Sequence, residues 1–435
     1  MRPSIRSLAL VSAVSMLSAA PTLAQEPAPS AQQAGEALLV FLDCQVPFCD
    51  FDHFRREISF VNWMRDRQDA QVHVLVTAQM TGGGGWEFTF AFIGREEFTG
   101  QEDTLTYTSR NTDTSAEVRE GLTQALKLGL VRYAARTPLG SQLLIDFRPE
   151  IAAAPTLPGG PEADPWNLWT FRVSLNGSMN GESQQSGYSV RGNASASRTT
   201  ENFKINLSVF GRYNRDEFEL DDTTTFVDTR ENYSADALLV WSLGPHWSLG
   251  LGADANRSTR QNFDLSTSLG PAVEYNIFPY EESTRQAITF LYRLEGTAFD
   301  YQELTVENKT SQVLTRHSFG VAAAVQQPWG QLNMSVRGTQ YLHDLETHRI
   351  DTFGGFNIRL FRGLSFNMFG NFSRIKDQFF LPAAGLTEEE ILRQRRARET
   401  DYRFRVNAGF SFRFGSKFNN VVNPRIGGGG MVFFF

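Results

Sequence analysis

The chain has 435 residues, a formal net charge of −7 and no basic block. That length admits two domains and a processed leader, and the acidic balance argues against nucleic acid as a partner. No apolar run of about 18 residues follows the first thirty positions, which excludes a helical membrane protein.

Residues 1–24 have the layout of an export signal peptide. Arg2 and Arg6 precede an apolar stretch from Leu8 to Leu17, and Thr22-Leu23-Ala24 offers a small-x-Ala cleavage site before Gln25. No Cys lies near that point, so a lipid anchor is not expected, and export permits disulfides. Residues 25–36, rich in Pro, Ala and Gln, are expected to form a disordered start to the mature chain.

Residues 37–146 read as a small α+β domain. Ala37 to Asp43 is an apolar run of strand length, and Asp50 can cap a short helix through Ile58. Val72 to Met80 and Trp86 to Ile93 flank Gly82 to Gly85 and predict a hairpin. Thr104 to Ser109 adds a candidate strand. Ser115 to Arg136 is an amphipathic helix, with Val118, Leu122, Ala125, Leu126 and Leu130 on one stripe and Pro138 as its stop. This order of elements is similar to the periplasmic α+β domains of TolB and of the curli secretion lipoprotein. Cys44 and Cys49 enclose four residues, against the two of a thioredoxin motif, and two thiolates fall short of a structural zinc site. They are a candidate loop-closing disulfide, with free thiols as the alternative. Residues 147–165, with repeated Pro and a Gly-Gly pair, read as the linker.

From Trp166 the pattern changes to strict alternation in about twelve segments, giving a transmembrane antiparallel β-barrel over residues 166–415 as the expected fold. In the last segment Tyr402, Phe404, Val406, Ala408, Phe410, Phe412 and Phe414 share one face, and Arg403, Arg405, Asn407, Ser411 and Arg413 share the other. Trp169, Phe171, Val173 and Leu175 alternate in the same way with Thr170, Arg172, Ser174 and Asn176. A soluble sandwich also alternates, so connector length is the discriminating signal. Short turns are expected around 199–202, 244–246, 279–283, 327–330 and 361–363. Longer loops are expected over Arg215 to Asn232, Asp300 to Gln312 and Asp377 to Asp401. Short turns at one end and long loops at the other suit an outer-membrane barrel with a periplasmic leading domain.

An Arg facing lipid near the midplane costs about 2–4 kcal/mol, so the Phe face is assigned to lipid and the Arg face to the lumen. The expected lumen-lining set is Arg172, Arg191, Lys204, Arg212, Asp236, Asp254, Glu274, Arg293, Glu295, Arg316, Arg337, Arg359, Arg403, Arg405 and Arg413, in which basic groups predominate. Trp169, Trp241, Trp247, Tyr275 and Tyr292 are outward candidates for aromatic girdles. The signal read by the barrel-assembly machinery is either Phe410, Phe412 and Phe414 or the terminal Phe433 and Phe435. Residues 416–435 are accordingly a tail or a final strand.

Several segments resemble recurring signatures of an uncharacterised family of bacterial outer-membrane β-barrel proteins with an N-terminal periplasmic α+β domain. They are EYNIFPY at Glu274 to Tyr280, QPWG at Gln327 to Gly330, RGLSFN at Arg362 to Asn367, Asp377-Gln378 and FGSKFNNVVNPR at Phe414 to Arg425. The leading segment FLDCQVPFCDFDHFRREISFVNWMRDR resembles that family's first domain. The resemblance implies the cell outer membrane, with its lipids and the assembly machinery as partners, and it carries no settled activity.

The lumen set admits two readings: a narrow pore favouring anions, or a closed, cross-linked interior in a structural or anchoring barrel. An outer-membrane hydrolase is the remote third. His343, Asp344 and His348 invite acid–base chemistry, but no nucleophile elbow, HExxH motif or phosphate loop accompanies them. No catalytic residue, metal site or cofactor is therefore assigned. The insert from Leu386 to Thr400, acidic then basic, is expected as a surface helix. The leading domain is the expected contact for another envelope protein.

Overall fold

The computed structural model describes residues 37–144, 164–221, 224–384 and 399–420. The segments expected as signal peptide (residues 1–24) and as the start of the mature chain (25–36), most of the expected linker, most of the charged insert, Phe433 and Phe435 lie outside the described residues.

The first unit is a five-stranded sheet with one long helix across it. Its strands are β1 (Leu38–Cys44), β2 (Val61–Trp63), β3 (Val72–Met80), β4 (Trp86–Gly94) and β5 (Glu102–Thr108), ordered β2-β1-β3-β4-β5. β1 runs parallel to both β2 and β3, whereas β3, β4 and β5 form an antiparallel meander. The short helix α1 (Phe51–Glu57) begins where Asp50 accepts a hydrogen bond from the His53 amide. The long helix α2 (Ser115–Ala134) begins with a capping box between Thr114 and Glu117. Its buried stripe of Val118, Leu122, Leu126 and Leu130 meets Phe88, Phe90 and Phe92 of β4 in one core. β2 was not legible in the sequence, because three residues give too short a run for any periodicity.

The second unit is a twelve-stranded antiparallel meander from β6 (Trp169–Glu182) to β17 (Tyr402–Phe412), every strand paired with its neighbours in sequence. The strands between are β7 (Gln185–Thr199), β8 (Phe203–Asp221), β9 (Thr224–Ser242), β10 (Trp247–Ser258), β11 (Phe263–Asn276), β12 (Gln286–Tyr301), β13 (Ser311–Gln327), β14 (Gly330–Tyr341), β15 (Asp344–Phe361) and β16 (Leu364–Ile375). The outer strands β6 and β17 form no ladder with each other among the described residues.

The connectors correct one expectation. Arg215 to Asn232 is not a loop: β8 and β9, 19 residues each, pair from Phe203↔Trp241 out to Asp221↔Thr224. Charge made this stretch read as a loop, but Arg215 pairs with Glu217 and Arg230 with Asp216, so the hairpin carries its charges as ion pairs. At the same end residues 183–184 and 342–343 are also tight turns, and only 302–310 and 376–401 are long. The asymmetry between the two ends is therefore weaker than the sequence implied.

The first unit sits at the short-turn end of the second. Its β3–β4 turn reaches β6, where Thr170 Oγ1 donates to the Gly82 carbonyl at 3.4 Å. The Gln326 side chain in β13 donates through Nε2 to the Val76 carbonyl at 3.4 Å. Past β17, residues 417–419 run antiparallel to β2: the Arg65 amide donates to the Lys417 carbonyl and the Asn419 amide to the Trp63 carbonyl. β3 alone spans about 30 Å at strand rise, so one small domain touches both edges of the sheet. That contact requires the meander to curl until β6 and β17 reach the same mouth.

Candidate functional site at the domain junction

Directly opposed residues of a ladder share a face, so the register assigns every charged position without further assumption. Arg172, Ser195, Ser208, Asp236, Asp254, Ser268 and Thr297 form one such row across seven strands. Arg337, Asp351, Ser373 and Arg403 form another. Arg191 opposes Arg212, Lys204 opposes Thr199, Glu274 opposes Leu291, Arg293 opposes Ala272, Glu295 opposes Arg316, Arg359 opposes Ser365 and Arg405 opposes Asn371. Arg413 follows β17, and its amide donates to Gly363. Thr170, Gln326 and Arg359 belong to this same face, which is therefore the one the leading domain meets.

The other face is apolar over the part of the strands nearer the leading domain, and carries Arg215, Glu231, Arg257 and Arg374 toward the far end. Val173 is 81% exposed, Leu175 76%, Phe410 71% and Phe404 64%. Near the leading domain it carries aromatic pairs: Phe203 with Trp241, Trp247 with Tyr275, and Phe366 stacked on Phe410 at 4.6 Å. Tyr188 and Tyr213 pair farther along. Phe412 and Phe414 stack at 5.4 Å where β17 ends. Tyr292 lies on this face too, with its hydroxyl 3.3 Å from His317 Nδ1.

Charges on the inner face are not distributed evenly. Glu295 is buried and contacts both Arg293 and Arg316, and Arg293 also lies 3.5 Å from Asp254. That cluster lies on β10, β12 and β13, whereas Asp236 of β9 accepts from the Ser208 and Ser234 hydroxyls, Glu274 of β11 accepts from Tyr280, and Asp351 of β15 pairs with Arg349. On β6, β7, β8 and β17, by contrast, Arg172, Arg191, Lys204, Arg212, Arg403 and Arg405 have no carboxylate within ion-pair distance among the described residues. One inner-face feature was missed from sequence: Phe353 and Phe369 meet edge to face at 5.3 Å. Phe369 follows Met368 and Phe366, and two apolar residues in succession obscure the alternation.

The far end is capped from inside. Phe379 and Phe380, in the segment after β16, pack on Phe263, Phe299, Tyr301 and Tyr341. Asn262, at φ 58°, donates to the Phe380 carbonyl. The catalytic alternative gains nothing there, since the Asp344 carboxylate accepts from the Glu346 amide and the Thr347 hydroxyl. Among the described residues no group of three His, Cys, Asp or Glu could hold a metal.

At the near end the two domains enclose a cavity of about 640 Å³. Arg359 Nη1 and Nη2 donate to the two Asp43 oxygens at 2.5 and 2.7 Å, and Nη1 also donates to the Pro328 carbonyl. His73 Nε2 lies 3.6 Å from Asp43, too far for a hydrogen bond, so that contact is electrostatic. Burial alone would raise the Asp43 pKa, but the contacts from His73 and Arg359 and the Arg359 charge hold it far below the carboxylate range. Burial pushes the His73 imidazole down, Asp43 pulls it up, and Arg359 and Arg67 push it down again. A second clamp joins Arg362 to Asp69 and the Gly363 amide to Asp66. Gly363 sits at φ 74°, the left-handed region a two-residue turn needs. Cys44 and Cys49 are joined by a disulfide with Cα atoms 6.1 Å apart, and Cys44 lines the cavity.

Five arginines line this cavity against two aspartates. Both carboxylates are engaged, Asp43 by Arg359 and Asp66 by the Gly363 and Gln68 amides. The sequence offered Arg359 and Arg413 as lumen residues and missed Arg65, Arg67 and Trp63. Trp63 ends β2 and Arg65 and Arg67 follow it in the other domain, which only the docked fold brings across.

No family model matches the chain, and no curated protein matches it. Among solved structures it is similar to a NanC porin in a rhombohedral crystal form, at 9% identity and a TM-score of 0.27, over 56% of this chain and 99% of that one. No helix among the described residues is long and apolar enough to cross a membrane, which says nothing of strands.

Proposed function

We propose that the chain is an outer-membrane β-barrel whose leading domain closes the periplasmic mouth and whose basic inner wall favours small anions. The separation of faces carries this reading. A contiguous apolar surface on this scale, ringed by aromatic pairs, matches hydrocarbon better than water. On β17 the outward residues run from Tyr402 to Phe412, about 33 Å along the strand; at a tilt of about 45° they cover about 24 Å, the height of a barrel's apolar band. The unpaired arginines on β6, β7, β8 and β17 supply an attractive field for anions.

Purified, folded protein recorded in planar bilayers tests this. Opening should be rare in the intact chain and frequent in Arg359→Ala combined with Arg362→Ala, with a reversal potential displaced toward the anion. The second reading, a closed anchoring barrel, draws on the cap formed by Phe379 and Phe380. It is favoured if the doubly substituted protein remains silent.

A further inference from the structure

The cavity between the domains contains donors with no acceptor. Trp63 Nε1 and Arg65 Nε are both buried and lack a hydrogen-bond partner among the described residues, and Trp63 is 4% exposed. Buried N–H groups almost always find an acceptor, in the protein, in water or in a ligand. Beside them Arg67 and Arg413 line the same cavity with no ion pair among the described residues. Burial lowers the Arg67 pKa, the charges of Arg359 and Arg95 lower it further, and Asp66 and Asp43 offset part of that. The two carboxylates of the cavity are already engaged, so its arginines outnumber the negative charge beside them.

The cavity floor is of a different chemistry. Asn357 opposes Asn367 on adjacent strands, and Ser365 opposes Ser411, so amides and hydroxyls stand in two neighbouring rows on the inner face. Such groups both donate and accept, and a hydroxyl-bearing molecule asks for that combination. The volume of about 640 Å³ falls in the range of small-molecule sites.

We infer that this cavity binds a small hydroxylated organic anion of the sugar-acid or sugar-phosphate class. The acid group lies between Arg67 and Arg413, and the hydroxyls meet Asn357, Asn367, Ser365 and Ser411. The guanidinium fork matches carboxylate and phosphate oxygens. The site does not depend on the pore reading, because it is complete with the mouth shut.

Isothermal titration of the full, detergent-folded chain tests it with four probes: D-glucuronate, D-glucose 6-phosphate, neutral D-glucose and inorganic phosphate. At least one of the two sugar anions should bind with one-to-one stoichiometry, and glucose should not. Arg67→Gln and Arg413→Gln should each weaken binding at least tenfold, Arg136→Gln, outside the cavity, should leave it unchanged, and heat-modifiable gel mobility reports that each variant is folded. Absence of binding by both sugar anions at millimolar concentration overturns the proposal. So does binding indifferent to Arg67→Gln and Arg413→Gln, or inorganic phosphate binding as tightly as the sugar anion. Conductance is scored separately, so a silent bilayer and an empty cavity are distinct outcomes.

Discussion

Arg359 and Asp43, 316 positions apart in the chain, meet through two guanidinium–carboxylate hydrogen bonds and fasten the leading domain to the inner face of β15. Asp43 is 5% exposed, so removing Arg359 leaves a buried carboxylate beside His73 with little water. Breaking a buried pair from one side costs about 3–5 kcal/mol. Arg359→Ala should therefore loosen docking by about that amount, read as faster hydrogen exchange in β1 and β3. Arg359→Lys should recover only part of it, because an ammonium cannot fork onto both oxygens. Unchanged exchange in the Ala variant contradicts the clamp.

Acid should loosen the same junction in two stages. His73 has a folded pKa below its unfolded value of about 6.5, so the unfolded state takes up the proton first and stability falls as pH drops below that value. Asp43 also has a depressed folded pKa, so its contribution is intact above about pH 3.9 and is lost below it. Melting of the leading domain should be flat above about pH 6.5 and decline below. His73→Gln should remove the upper part of the decline, and Asp43→Asn the lower part. A decline beginning equally early in His73→Gln removes the histidine from this role.

The Cys44–Cys49 disulfide closes a short loop where β1 enters the cavity. In the chain-entropy model a loop of that length contributes about 2 kcal/mol. Cys49→Ser should lower the melting temperature of the leading domain while leaving barrel gel mobility unchanged. A loss of barrel folding instead would give the disulfide a wider role.

Close packing of α2 on the sheet gives a sharper test of the domain's core. A Cβ built at Gly129 would stand 2.0 Å from the Phe92 ring, which is fully buried. Gly129→Ala gains helix propensity of about 1 kcal/mol yet must displace that ring, so overpacking by about 1–3 kcal/mol decides the sign. Net destabilisation in a thermal melt is expected, and paired with Phe92→Leu the cost should shrink. A stabilised Gly129→Ala would mean that α2 stands farther from β4.

What the sequence made legible follows from what periodicity can carry. Alternation in β6 to β17 gave strand number and which residues share a face, because a slip of one residue would turn Arg403 and Arg405 toward the Phe face. The helix α2 was legible from its stripe, whereas the Thr114–Glu117 capping box that starts it was not read. The β8–β9 extension was missed because Arg215, Asp216 and Glu217 look like loop composition until their partners are known. The cavity was invisible for another reason. Trp63, at the end of β2, and Arg65 and Arg67 just beyond it form no site until residues 417–419 and the β15–β16 turn fold against them, and no local pattern encodes a contact of that range.

The central claim is which face of the meander meets hydrocarbon, and site-directed quenching tests it most directly. A fluorophore at Val406→Cys and one at Asn407→Cys are adjacent in β17 but stand on opposite faces. In vesicles containing lipids brominated on their acyl chains, strong quenching is expected at position 406 and little at 407, with the same alternation for Leu249→Cys and Gly250→Cys in β10. Equal quenching at both positions of each pair, or quenching confined to 407 and 250, would contradict it.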